Sequence, residues 1–272
     1  MIIKKSRREI DKMVVAVALV AKAHEAVRDA VKPGVSTLDL DLIAEKVITG
    51  DGGTASFKGY GGRHGLVSPF PGTLCTSVNH EIVHGIPSRD VVLKEGDVLS
   101  IDAGAIVDGY HGDSAATWIV GGDDAVDPAV ATMVAETRRG LWAGIHGFMA
   151  GNRLGDIGAA IEAVANEHGY GIVREYVGHG IGRSLHEDPS VPNYGTAGRG
   201  PKLSKGWVLA IEPMFNLGGE ATVTLDDHWT VVTEDGKVSA HWEHTIALTQ
   251  EGPRVLTARS DEPEWPLAPV GR

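Results

Sequence analysis

The chain is predicted to adopt an α+β fold, with two helix pairs packed on antiparallel strands. Three observations carry this. Apolar residues recur at helical spacing in two well-separated pairs of segments, within residues 7–48 and 127–168. Two β-branched, largely apolar runs between the pairs, residues 98–107 and 110–120, are joined by Asp108-Gly109, a strong hairpin signal. After the second pair the chain is dominated by further short apolar runs at strand length.

The elements follow in order. Ser6-x-x-Glu9 is a capping box, and Ile10, Met13, Val17, Val20, His24 and Val27 continue the first helical stripe until Lys32-Pro33-Gly34 stops it. A second helix starts near Ser36 or Thr37 and carries Leu40, Ile43, Val47 and Ile48. Residues 50–71 are glycine-rich and read as a loop, with Tyr60 and Phe70 more aromatic than a connector needs. Residues 74–84 read as extended, and the hairpin follows. Residues 127–150 and 155–168 form the second helix pair, broken at Gly151-Asn152-Arg153. Strands are expected at 171–177, 207–215, 227–233 and 238–249, with a glycine-rich loop at 178–182. Pro263, Pro266 and Pro269 mark residues 260–272 as an irregular arm. No composition break marks a linker and no internal repeat is evident, so residues 1–272 are read as one domain.

Composition narrows the function. The 272 residues are 42% hydrophobic and 22% charged, as in an ordinary globular protein. A net charge of -11 lacks the basic footprint of non-specific nucleic-acid binding. The single cysteine, Cys75, rules out an internal disulfide and any Cys-x-x-Cys zinc module. Lys4, Lys5, Arg7 and Arg8 precede a short apolar run, but Glu9 and Asp11 interrupt the basic stretch. It reads as the first helix rather than a signal peptide. No segment approaches a membrane span, and the expected location is the cytosol.

The chemistry gathers on carboxylates set in apolar strands. With Asp108 and Gly109 as the turn, Val107 faces Tyr110, Asp102 faces Ala115 and Asp113 faces Gly104. The two aspartates are then diagonal neighbours on one face, roughly 7–8 Å apart at the backbone. Glu212 interrupts Leu209-Ala-Ile-Glu-Pro-Met214, and Glu243 interrupts a similar strand. Charged groups are rarely buried unless paired or bound to a cation. Two divalent ions match the four carboxylates in charge, and His179, set between glycines, adds a neutral nitrogen ligand. Such a donor set suits manganese, iron, cobalt or zinc. His241-Trp-Glu-His244 looks like a metal motif, but alternation puts Glu243 and His244 on opposite faces, so His244 is read as structural. His111 is read as a satisfied turn histidine, and His24, His146 and His168 as surface residues of helices. Gly178-x-Gly180-x-Gly182 falls short of a dinucleotide loop, because Arg183 stands where the third glycine belongs.

Taken together, several segments resemble the bacterial-type methionine aminopeptidases and the wider pita-bread metallopeptidases. They are Thr76-Ser-Val-Asn79 through His84-Gly-Ile-Pro87, Ile101-Asp-Ala-Gly104, His111-Gly-Asp113, Gly178-His-Gly-Ile-Gly-Arg183 with His186-Glu-Asp-Pro189, Ile211-Glu-Pro-Met214 and Glu243-His-Thr245. The likeness covers roughly residues 5–258. It implies a curved antiparallel sheet flanked by two helix pairs with approximate internal two-fold symmetry, and removal of the N-terminal methionine from nascent proteins and peptides.

Carried over by residue, the resemblance implies that Asp102, Asp113 and Glu243 hold one divalent ion. Asp113, His179, Glu212 and Glu243 hold the other, and a hydroxide between the ions attacks the scissile carbonyl. Glu212 becomes the proton shuttle, His186 stabilises the oxyanion and His84 contacts the scissile amide or leaving amine. Tyr60, Phe70, Cys75, Leu185 and Trp229 line an apolar pocket for the methionine side chain, and a monovalent cation lies near Asn79 and Ser239. The partners implied are nascent polypeptide N-termini and the ribosome, with a monomeric enzyme and no nucleic acid or membrane. Two departures stand out: a longer loop at 59–71, and His80 as an additional imidazole near the site. The competing readings are an Xaa-Pro aminopeptidase or prolidase of the same fold, and a non-catalytic peptide- or ribosome-binding relative.

Overall fold

The computed structural model describes residues 1–61, 68–260 and 262. The centre of the 59–71 loop and nearly all of the expected arm, with its three prolines, lie outside them. Ser6 caps the first helix, α1 (Arg7–Ala30), by accepting from the Glu9 N–H while the Glu9 carboxylate accepts from the Ser6 N–H. Ser36 and Asp39 repeat the device at α2 (Thr37–Gly50). The second pair is α3 (Pro128–Gly147), capped by Asp127, and α4 (Leu154–His168), closed by the left-handed Gly169.

Each helix pair covers a sheet. α1 and α2 bury Leu19, Val20, Val27, Leu40 and Ile48 against the hairpin strands Val98–Val107 and Tyr110–Ile119. Leu74–Val78 and Thr54–Ala55 pair with the first hairpin strand. α3 and α4 bury Met133, Leu141, Ile145, Ile157 and Ile161 against Leu209, Ile211, Phe215 and Ile246 of the later strands. The five-stranded sheet there runs Pro253–Val255, His244–Leu248, Val208–Ile211, Gly178–Gly180 and Glu187–Val191, every pair antiparallel. The same helix-pair-on-sheet layer thus occurs twice, as expected of the pita-bread fold.

The hairpin register is as expected: Val107 pairs with Tyr110, Asp102 with Ala115 and Gly104 with Asp113. Several long strands are interrupted. The expected strand at 207–215 divides into Val208–Ile211 and Met214–Asn216, because Pro213 has no N–H to give a ladder. Its partner divides at the same level into Ser239–His241 and His244–Leu248. Residues 74–84 divide into Leu74–Val78 and Glu81–Val83, turning at Asn79 with φ 58°. Of 171–177 only Gly171–Ile172 is strand, and of 227–233 only Val231–Thr233. His24 corrects its assignment as a surface residue. It is fully buried, its Nε2 held 2.7 Å from the Ser114 carbonyl, because α1 lies directly on the hairpin. His146 is half-buried on α3 and His168 exposed on α4.

Candidate active site

The two aligned strand breaks build the site. His244 pairs with Ile211 and His241 with Met214, so Glu212 and Glu243 both fall where the chain passes from one sheet to the next. The hairpin reaches this junction through side chains. Thr245 Oγ1 donates to the Asp113 carbonyl at 2.7 Å, and Ser114 Oγ donates to the Glu243 carbonyl at 2.8 Å. The Glu243 N–H donates to the Ala115 carbonyl at 3.0 Å. Asp113 and Glu243 are thereby fixed side by side, 3% and 2% exposed.

His179 comes in from the five-stranded sheet, opposite Ala210. The glycines beside it serve backbone packing: a Cβ on Gly180 would lie 2.2 Å from the Asp188 carbonyl oxygen. Donor atoms of Asp113, His179 and Glu243 all lie within 4.8 Å of one another. Glu212 joins them, its Oε1 3.6 Å from His179 Nε2. Asp102 meets Asp113 side chain to side chain.

These donors fit a divalent cation. His179 Nδ1 must donate to the Gly180 carbonyl, 2.9 Å away, so Nε2 carries a lone pair. That lone pair faces the carboxylates of Asp113, at 3.8 Å, and Glu212. Acceptor meets acceptor, with no cationic side chain of the described residues hydrogen-bonded between them. Asp102 Oδ1, Asp113 Oδ1 and Glu243 Oε1 are buried with no hydrogen-bond partner among the described residues. Burial pushes Asp102 up to about 7. Burial first, then the neighbouring carboxylates, pushes Asp113, Glu212 and Glu243 well above the usual carboxylate range. Burial and then the His186 ring push His179 down to about 3, leaving it neutral. A cation among these groups removes both the repulsion and the missing partners.

The cluster floors a cavity of about 170 Å³. The five residues expected to line an apolar pocket all do so, together with His84 and His186. Phe70, Cys75 and Leu185 are nearly buried and pack in one apolar cluster, while Phe70 meets Trp229 edge to face. The Cys75 thiol is pushed well up, by burial and then by Asp102 and other nearby carboxylates, which leaves it a small apolar wall. His84 enters from a left-handed turn, φ 60°, and burial, then His186, lowers it to about 4. His186 is held by Tyr60, whose hydroxyl is 2.6 Å from its Nδ1.

Phe57, Val83, Tyr176, Val177 and His241 also line the cavity, and sequence reasoning missed them. One signal was available: residues 241 and 243 are two apart, so the alternation that turns His244 away keeps His241 with Glu243. His244 is indeed turned away, bonded to Thr257 at 2.9 Å and Glu262 at 3.0 Å. His80 corrects its expected closeness to the site. It lies exposed at the turn after Asn79 and is absent from the cavity lining. His111 is satisfied by the Ser56 hydroxyl, 3.0 Å from its Nδ1.

A carboxylate and imidazole cluster of this kind, at the base of a small apolar cavity on a pita-bread frame, defines a metal-dependent peptidase. The chain belongs to metallopeptidase family M24, which it matches over residues 11–250. It is 51% identical to methionine aminopeptidase 1 of Mycobacterium tuberculosis, over 93% of this chain and 94% of that one. It is 47% identical to the methionine aminopeptidase of Clostridium acetobutylicum, over 94% and 99% respectively. The crystal structure of the Thermotoga maritima methionine aminopeptidase superposes with a TM-score of 0.90 at 42% identity, covering 95% of this chain and 100% of that one. The prolidase of Pyrococcus furiosus, at 20% identity and a TM-score of 0.73, shares the fold, and this chain spans 65% of it.

Proposed function

We propose that the cavity removes the N-terminal methionine from peptides and nascent proteins, using two divalent ions, cobalt, manganese, iron or zinc. Asp102, Asp113 and Glu243 would hold one, and Asp113, His179, Glu212 and Glu243 would hold the other. The observation that carries this reading is the buried, mutually repelling donor set directly beneath an apolar cavity. The identity to proteins named methionine aminopeptidase over nearly the whole chain supports it. When bound, the ions supply Lewis-acid polarisation and lower the pKa of water.

The side chains divide the remaining work. Tyr60, Phe70, Cys75, Leu185 and Trp229 take the unbranched thioether and exclude water around it. The Asp102 end takes the free amino group, which makes the action exopeptidic. Glu212 carries a proton from the attacking water to the leaving amine. His186, oriented by Tyr60, donates to the developing oxyanion, and His84 contacts the scissile amide. A monovalent cation is assigned to the junction of Asn79 and Ser239, where the Ser239 N–H donates to the Asn79 carbonyl at 2.8 Å. The proposed setting is a monomer in the cytosol that meets nascent N-termini at the ribosome. Among the described residues, no helix is long and apolar enough to cross a membrane.

The test is hydrolysis of Met-Gly-Met against Xaa-Pro peptides after EDTA treatment and re-addition of each metal. Metal-dependent release of methionine is expected. Exclusive Xaa-Pro cleavage, or no metal-dependent hydrolysis of either, would overturn the reading.

A further inference from the structure

We propose that His241 is a positioning residue for Glu212, donating from Nε2 to Glu212 Oε2 so that Oε1 stays turned toward His179. The inference rests on the assignment of Glu212 as the proton carrier. Glu212 lies between two imidazoles: Oε1 is 3.6 Å from His179 Nε2 and Oε2 is 3.8 Å from His241 Nε2. His179 cannot donate to it, because its one proton is committed to the Gly180 carbonyl. His241 can. Its Nε2 is buried and has no partner among the described residues, and its ring lines the cavity.

The separation exceeds a normal N–H···O bond by less than about 1 Å, and the soft terminal torsion of a glutamate spans such a gap. The backbone behind His241 is fixed. Its N–H donates to Thr117 Oγ1 at 2.9 Å, the same hydroxyl donates to its carbonyl at 2.7 Å, and it pairs with Met214. A ring carried on so rigid a segment is suited to hold a neighbour in place. His244, three residues on, has both ring nitrogens bonded away from the cavity, as a purely structural histidine should. The free nitrogen of His241 points the other way, to the group whose orientation the reaction needs. Outer partners of this kind fix which carboxylate oxygen faces an ion and which carries the proton.

The test compares wild type with His241→Leu, which removes the donor, and His241→Gln, which restores an N–H near the same place. Two readouts are taken: kcat and KM for Met-Gly-Met, and Mn²⁺ binding to the EDTA-stripped proteins by calorimetry. His241→Leu is expected to lower kcat by about 10–100-fold while KM and Mn²⁺ affinity change by no more than about threefold. His241→Gln is expected to recover most of that kcat.

Unchanged kcat in His241→Leu would overturn the proposal, as would a His241→Gln variant no better than it. Loss of Mn²⁺ affinity by more than about tenfold in both variants would overturn it too, because His241 would then serve metal binding rather than the orientation of the proton carrier. If His241→Leu does not fold, His241→Asn, whose amide stops short of Glu212, takes its place. A wild type without metal-dependent hydrolysis overturns the functional reading and this inference together. An active wild type with unaffected variants overturns this inference alone.

Discussion

Replacing Asp102 by asparagine should stabilise the metal-free protein and weaken the metal-loaded one. Asp102 has an ordinary value of 3.8 and is pushed up to about 7 in the fold by burial, which outweighs the lowering hydrogen bonds to Asp113 and the Ala103 backbone. A folded-state value above the unfolded one means that the native state holds its proton longer. The associated stability is complete below pH 3.8 and is lost as pH rises to about 7. At 1.36 kcal/mol per unit, the raised Asp102 value costs the metal-free fold about 4 kcal/mol at pH 8, where the group is ionised, and about 2 kcal/mol at pH 5, where folding must take up its proton. Asparagine keeps the shape and carries no charge. In EDTA at pH 8 the Asp102→Asn variant should therefore melt higher by about 8–16 °C, and by less at pH 5. The buried histidines, which titrate alike in both proteins, cancel in the difference. Saturating Mn²⁺ should reverse the order, because the variant binds the ion less tightly and gains less from it. The assay is a thermal melt of both proteins, with EDTA and with Mn²⁺, at pH 5 and 8. A variant that melts below wild type in EDTA at pH 8 would refute the reasoning.

Three further outcomes are expected. Asp113→Ala should abolish hydrolysis and reduce bound metal, as read by elemental analysis with the Met-Gly-Met assay. Full activity would remove Asp113 from the ligand set. His84→Ala should slow turnover about 10²-fold or more with metal content unchanged, and loss of metal would show that it acts on the ions instead. Lys5→Ala should leave Glu187 buried without its cation. Both side chains of that pair are nearly inaccessible, and Glu187 also accepts from the Arg183 and Ser184 N–H groups in the loop that carries Leu185 and His186. A destabilisation of about 3–5 kcal/mol, or a melting temperature lower by about 6–20 °C, is expected, and a shift under 2 °C would contradict it.

Local chemistry made much of the molecule legible. The capping box at Ser6, the helical stripes and the Asp108-Gly109 turn act over a few residues, and each set its element where the fold has it. The diagonal of Asp102 and Asp113 followed from hairpin register alone. Convergence of those aspartates with His179, Glu212 and Glu243 was argued from the cost of burying charge, and the fold brings them to one cavity. What stayed hidden depends on distant packing. Tyr176 and Val177 come from a segment that reads as strand but is irregular beyond Ile172. Val83 is an ordinary apolar strand residue until the Val231–Thr233 strand pairs beside it. His24 fell on a helical stripe, and only the docking of α1 on the hairpin decides that it is buried. The strand breaks at Pro213 and Glu243 were missed as breaks, although the proline forbids a continuous ladder. Those breaks are what turn two glutamates into the cavity.

The central claim is that Asp113, His179 and Glu243 share a divalent ion at the floor of the cavity. Anomalous diffraction at the manganese edge, from crystals grown with Mn²⁺, tests it most directly. The account predicts a strong peak at about 2.0–2.2 Å from donor atoms of all three residues. A crystal of active enzyme with no peak there, or with manganese held elsewhere, would contradict it.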